Sequence, residues 1–222
     1  MEVRIEHVSK RYGRKQVLKD VSLHTQSGRC IGILGANGSG KSTFLSILAG
    51  VLRSDGGSFT VDGQELFSDN RLRADYVGYV PQGTPLLEEL TAWDNLRLWY
   101  DKQTLQQELE HGVLGTLGIG DFLKVPVKKM SGGMKKRLSI GCAVAGRPPI
   151  VLLDEPTAAL DLACKRAIAE YLRGYKAAGG LLILTTHDVL ELELCDEWYI
   201  LKDGSLVRYA FDGNVDALVR AL

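Results

Sequence analysis

A chain of 222 residues, 45% of them hydrophobic, has enough apolar material for one packed α/β domain without covalent staples. Its 27 Lys and Arg balance 27 Asp and Glu, so it lacks the global basic field that draws proteins onto nucleic acid. Cys30, Cys142, Cys164 and Cys195 show no C-x-x-C spacing, which argues against a zinc site or a disulfide framework and for buried thiols in a reducing cytosol.

The N-terminal residues 1–7 carry charges where a signal peptide needs an apolar stretch, so the chain is expected to stay in the cytoplasm. No segment reaches the roughly 20 apolar residues of a membrane-spanning helix, so any membrane role must come through a partner. Residues 3–8 and 17–23 alternate apolar and polar side chains, as half-buried antiparallel strands do. Residues 30–34 are instead continuously apolar, and a Gly-rich loop and a helical stretch at 43–49 follow, giving strand, loop, helix. Between Gln82 and Pro149 the strand pattern vanishes, and Thr91 with Asp94 three residues on has the form of a capping box. The apolar runs 150–153 and 181–184, joined by a helical stretch at 165–175, predict buried parallel strands with a crossover helix. A hairpin across Lys202, Asp203 and Gly204 and a short helix from Val215 end the chain, with no tail expected for a regulatory domain.

Gly35-Ala36-Asn37-Gly38-Ser39-Gly40-Lys41-Ser42, followed by Thr43, satisfies G-x-x-x-x-G-K-[ST] and lies between the buried strand and the helix start. Glycines let backbone amides approach phosphate oxygens, the helix N-terminus adds its positive end, Lys41 adds a point charge to the β/γ-phosphates, and Ser42 a hydroxyl to Mg²⁺. Asp154 and Glu155 close a buried strand at the carboxyl edge, where open parallel sheets bind ligands. Alone, such a pair also marks an ordinary strand end. Beside a phosphate loop it reads as Asp154 for Mg²⁺, through its water shell, and Glu155 as general base toward water.

Met130-Ser131-Gly132-Gly133-Met134, directly before a helical run at 135–145, resembles the signature of the ABC transporter family. Further elements stand in that family's order: Tyr12, Gln82 after Tyr79-Val80-Pro81, Asp161 after Ala158-Ala159-Leu160, and His187 after Thr185-Thr186. The resemblance implies an α/β fold, with a P-loop NTPase core of mostly parallel sheet, an N-terminal antiparallel β subdomain and an inserted helical subdomain. It implies one domain over residues 1–222, with 1–81 and 150–222 as core and 82–149 as the helical part. By the same resemblance Tyr12 stacks on adenine, Gln82 touches Mg²⁺ and water, Asp161 reaches across a dimer, and His187 bonds the γ-phosphate. Ser131, Gly132 and Gly133 meet the γ-phosphate of ATP held by an opposing subunit.

The implied activity is ATP hydrolysis with Mg²⁺, driving transport through a separate transmembrane permease subunit. The implied partners are a second ATPase subunit, identical or different, joined when ATP binds, and no nucleic acid; the implied location is the inner face of the cell membrane. The family usually has Gln where this chain has Met134, and Met there resembles a branch of exporters with separate membrane subunits. A soluble family member serving cofactor assembly fits the same motifs, whereas a P-loop kinase leaves Ser131, Gly132 and Gly133 unexplained. Lys128, Lys129, Lys135, Lys136 and Arg137 read either as attraction for phosphate or as a solvated face.

Overall fold

The computed structural model describes residues 1–186 and 188–222. Strands β1 (Glu2–Tyr12) and β2 (Lys15–Gln26) pair antiparallel, and their alternating Val3, Ile5, Leu18, Val21 and Leu23 share a buried face. After β3 (Cys30–Leu34) and helix α1 (Lys41–Leu48), the chain returns to this sheet with β4 (Gly56–Val61) and β5 (Gln64–Glu65), in the order β2-β1-β4-β5. Helix α2 (Asn70–Tyr76) is capped by the Asp69 carboxylate, which accepts from the Arg71 and Leu72 amides, and runs into β6 (Val77–Val80).

From 82 to 149 the described residues form no strand beyond one isolated bridge. They build α3 (Ala92–Leu96), α4 (Lys102–His111), α5 (Val113–Thr116) and α6 (Gly132–Ala143). The start of α3 is the capping box read from the sequence: Asp94 N donates to Thr91 Oγ1 at 3.2 Å, and Thr91 N donates to Asp94 Oδ2 at 3.1 Å. Tyr100 is buried, and its hydroxyl donates to the Gly141 carbonyl at 2.8 Å, tying the end of this segment to α6.

The chain then completes the larger sheet with β7 (Ile150–Asp154), helix α7 (Leu162–Ala177), β8 (Leu181–Thr185), the short α8 (Val189–Leu192), β9 (Glu197–Lys202), β10 (Ser205–Tyr209) and α9 (Val215–Ala221). The order is β10-β9-β3-β8-β7-β6, parallel throughout except for the antiparallel edge strand β10. Asp203 and Gly204 turn this edge hairpin with φ of 51° and 80°, the positive pair that a type I′ turn requires.

The continuous apolar runs are explained by cover on both faces. Ile31, Ile33, Ile150, Leu152, Leu181 and Ile183 pack with α1 and the antiparallel sheet, while Cys30, Val151, Leu153, Leu182 and Leu184 pack toward α7 and the helical insertion. Each such fully buried side chain contributes about 1.5–3 kcal/mol, enough to fix the register of the strands and hence the position of their ends. Because the central strands run parallel, Leu34, Val80, Asp154 and Thr185 all finish at one edge of the sheet. All four cysteines are free and buried, and Cys30 Sγ lies 3.6 Å from Cys195 Sγ, a contact that the spacing alone could not reveal.

Candidate nucleotide site

The loop after β3 is shaped by its glycines. Gly38 and Gly40 have φ of 78° and 111°, and at Gly40 a Cβ would also lie 2.9 Å from Val17 Cγ1, so conformation and space both demand glycine. Gly40 is the N-cap of α1 and offers no capping side chain, which leaves the first amides and the positive end of the helix to an anion. Ser39 Oγ is buried and has no hydrogen-bond partner among the described residues, an orphan of the kind that marks a place for a polar ligand. Lys41 is only 5% exposed and donates through Nζ to the carbonyls of Gly35 at 2.6 Å and Ala36 at 3.2 Å. Burial lowers its pKa, while the nearby carboxylates of Glu155 and Asp154 pull it back up. Ser42 is exposed, Thr43 half-buried, and a hollow beside the loop is lined by Asn37, Gly38, Ser39, Lys15 and Lys19.

Asp154 ends β7 in register with Thr185 of β8, whose hydroxyl donates to Asp154 Oδ1 at 2.6 Å. The same threonine carbonyl and hydroxyl each lie 3.1 Å from the Glu155 amide. Thr185 was not singled out from the sequence; its signal is a polar residue closing the apolar run 181–184. Glu155 has φ of 47° and precedes Pro156, a strained combination for a non-glycine residue that costs on the order of 1–3 kcal/mol and is characteristic of functional sites. Gln82, two residues past β6, donates from Nε2 to Glu155 Oε2 at 3.1 Å, so a pair 73 positions apart in sequence meets at the sheet edge.

The residues of the signature lie elsewhere. Ser131 is the N-cap of α6 and accepts the Met134 amide at 3.2 Å, while its hydroxyl proton remains for another acceptor. Ser131 and Gly132 are exposed; Gly133 is buried, where an added Cβ would collide with Cys164 Sγ. The side chain at the atypical fifth position, Met134, packs against the apolar interior of the helical insertion. Helix α6 packs on β6, α3 and α7, whereas α1 packs on β7. Asp161 is the exposed N-cap of α7; its carboxylate accepts the Cys164 amide at 2.8 Å, and that bond holds it below the usual carboxylate range. Tyr12 ends β1, about half exposed, with the Lys10 ammonium 5.9 Å from its ring centroid, and is not among the residues lining the hollow by the loop. His187 lies outside the described residues.

The basic run near the signature divides. Lys128 and Lys135 pair with Glu89 and Glu88 at the surface, but Lys136 is buried, with its ammonium on the carbonyls of Pro81 and Gln82. Among the described residues no cluster of three His, Cys, Asp or Glu side chains could hold a metal by itself. The oxygen donors present, the Ser42 hydroxyl, the Gln82 amide oxygen and Asp154, fit a hard cation that brings phosphate and water oxygens with it, as Mg²⁺ does.

Residues 18–158 match the family described as ABC transporter. The Nod factor export ATP-binding protein I of Sinorhizobium fredii (strain NBRC 101917 / NGR234) is 37% identical over 225 residues, covering 98% of this chain and 64% of that protein. The chain thus spans somewhat less than two thirds of that relative's length. The linearmycin resistance ATP-binding protein LnrL of Bacillus subtilis (strain 168) is 33% identical over 211 residues, covering 91% of this chain and 67% of the relative. A dimeric ATP-binding cassette in a post-hydrolysis state with ADP and phosphate superposes with a TM-score of 0.80 at 27% identity, over 94% of this chain and all of that one.

Proposed function

The chain belongs to the ABC transporter family, and from that premise we propose that it hydrolyses ATP to power export through a separate membrane protein. The observation that carries the ATPase reading is the meeting, at one sheet edge, of the uncapped loop with Lys41, the Thr185-held Asp154 and the Gln82–Glu155 pair. Loop amides and Lys41 bind the β/γ-phosphates, and Lys41 exchanges its own loop carbonyls for phosphate oxygens. Ser42, Gln82 and Asp154 would hold Mg²⁺, which would supply positive charge to neutralise the phosphates. Glu155 takes the proton of the attacking water, and the Gln82 amide keeps its carboxylate oriented. Tyr12 stacks on adenine, and His187 bonds the γ-phosphate.

The exposed Ser131 and Gly132 suit the γ-phosphate of a second copy, so that two chains close head to tail around two ATP molecules, with Asp161 at the seam. The dimeric relative with ADP and phosphate supports this arrangement, and the names of the export and resistance relatives support the direction.

No helix among the described residues is long and apolar enough to cross a membrane. A groove between α1, β6 and the helical insertion nevertheless presents Val51, Leu87, Leu98 and Trp99, with Val51 66% and Trp99 65% exposed. Trp93, six residues before Trp99, packs instead against the helical interior. The groove is our site for the membrane partner on its cytoplasmic side. Replacing Leu98 and Trp99 by Asp should abolish co-purification of a multi-span membrane protein from gently solubilised native membranes while ATP binding persists. Recovery of soluble partners alone, with the parent chain, would favour the cofactor-assembly role.

A further inference from the structure

Lys136 lies five residues beyond Ser131 on α6 and is only 5% exposed. Its ammonium donates to the carbonyl of Pro81 at 2.9 Å and to that of Gln82 at 3.0 Å. These are the first residues after β6, and the second of them carries the side chain that reaches Glu155. Burial lowers the pKa of this ammonium, and the carboxylates of Asp154, Glu191 and Glu155 act against that shift from across the sheet edge. One helix therefore holds the signature turn at its N-terminus and, roughly one and a half turns on, the backbone from which Gln82 projects.

We propose that Lys136 is a positioning residue for hydrolysis, fastening the Gln82 turn to the signature helix so that docking of Ser131, Gly132 and Gly133 and placement of Gln82 against Glu155 occur as one movement. This rests on the reading of Glu155 as the base. A shift of α6 on the core moves both carbonyls with it, because the ammonium lies too deep for water to replace either bond readily. The Gln82 side chain itself is exposed, so the fixed point that aims it is its backbone. A lysine suits this place through charge-assisted bonds to two acceptors at once.

The test uses the full chain and steady-state ATPase assays with a fluorescent ATP analogue for binding. Lys136→Met should lower kcat about tenfold or more while KM and analogue affinity stay within about twofold, since the phosphate loop is untouched. Lys136→Arg, which keeps the charge and the donors, should retain at least about a third of the parent kcat. Adding Lys136→Met to Gln82→Ala should cost less than about twofold further, because the lysine acts through that glutamine. A Lys136→Met kcat within twofold of the parent, or losses that multiply in the double variant, would overturn the proposal. If the Met variant does not fold, Lys136→Gln decides: turnover between those of the parent and Gln82→Ala supports the tether, and parent turnover refutes it. Glu155→Gln run alongside separates the readings. Parent-rate hydrolysis there removes the base assignment, whereas a dead Glu155→Gln beside a fully active Lys136→Met removes only the tether.

Discussion

Lys41 and Ser131 each stand at the start of a helix, and their surroundings could hardly differ more. Lys41 is buried, folded onto its own loop carbonyls, with Asp154 and Glu155 close enough to act on its charge. Ser131 and Gly132 face outward from a helix that packs on β6, α3 and α7, and the turn spends its internal bond on the Met134 amide. The phosphate-loop region is thus assembled by strand ends within one chain, while the signature region is a presented surface. On the proposed reading this chain folds as half of a catalytic unit, with its binding chemistry local and its phosphate-closing turn directed at another molecule.

The comparison breaks most visibly at Lys41. Lys41→Ala removes the cation reserved for the β/γ-phosphates, and loss of one or two charge-assisted bonds, each worth roughly 1.5–3 kcal/mol, should weaken ATP by on the order of 100-fold. Titration of the isolated chain with a fluorescent ATP analogue reads this directly; affinity within a few-fold of the parent would remove the loop from the site. Gly133→Ala sharpens the other side. The new methyl must displace Cys164, an overpacking that typically costs about 1–3 kcal/mol and tilts the turn. Analogue affinity of the isolated chain should stay within about twofold while kcat falls several-fold, and Cys164→Ala in the same chain should restore part of it. A matching fall in analogue affinity would show that the two regions are not separate.

How much of this was legible followed from how local the chemistry is. The phosphate loop needs eight consecutive residues, the capping box of Thr91 and Asp94 needs four, and Asp154 and Glu155 are adjacent, so each could be read directly. The buried parallel strands were legible because cover on both faces leaves an unbroken apolar run. Residues 51–80 were not, since β5 has two residues and β6 four, too short to display a period. The Gln82–Glu155 bond, the Thr185 support of Asp154 and the burial of Lys136 within a basic run are all tertiary facts. Likewise both Trp93 and Trp99 are aromatic and close in sequence, and only the rotation of α3 and its following turn decides which faces the groove.

The central claim, that two half-sites close around ATP, is tested most directly in Glu155→Gln. That change keeps the shape of the side chain and removes the base, so ATP should bind and remain uncleaved. Size-exclusion chromatography with light scattering should then give a monomer without nucleotide and a dimer with ATP and Mg²⁺, while the parent dimerises only transiently. A variant that hydrolyses ATP at the parent rate, or that stays monomeric when saturated with ATP, would contradict the account.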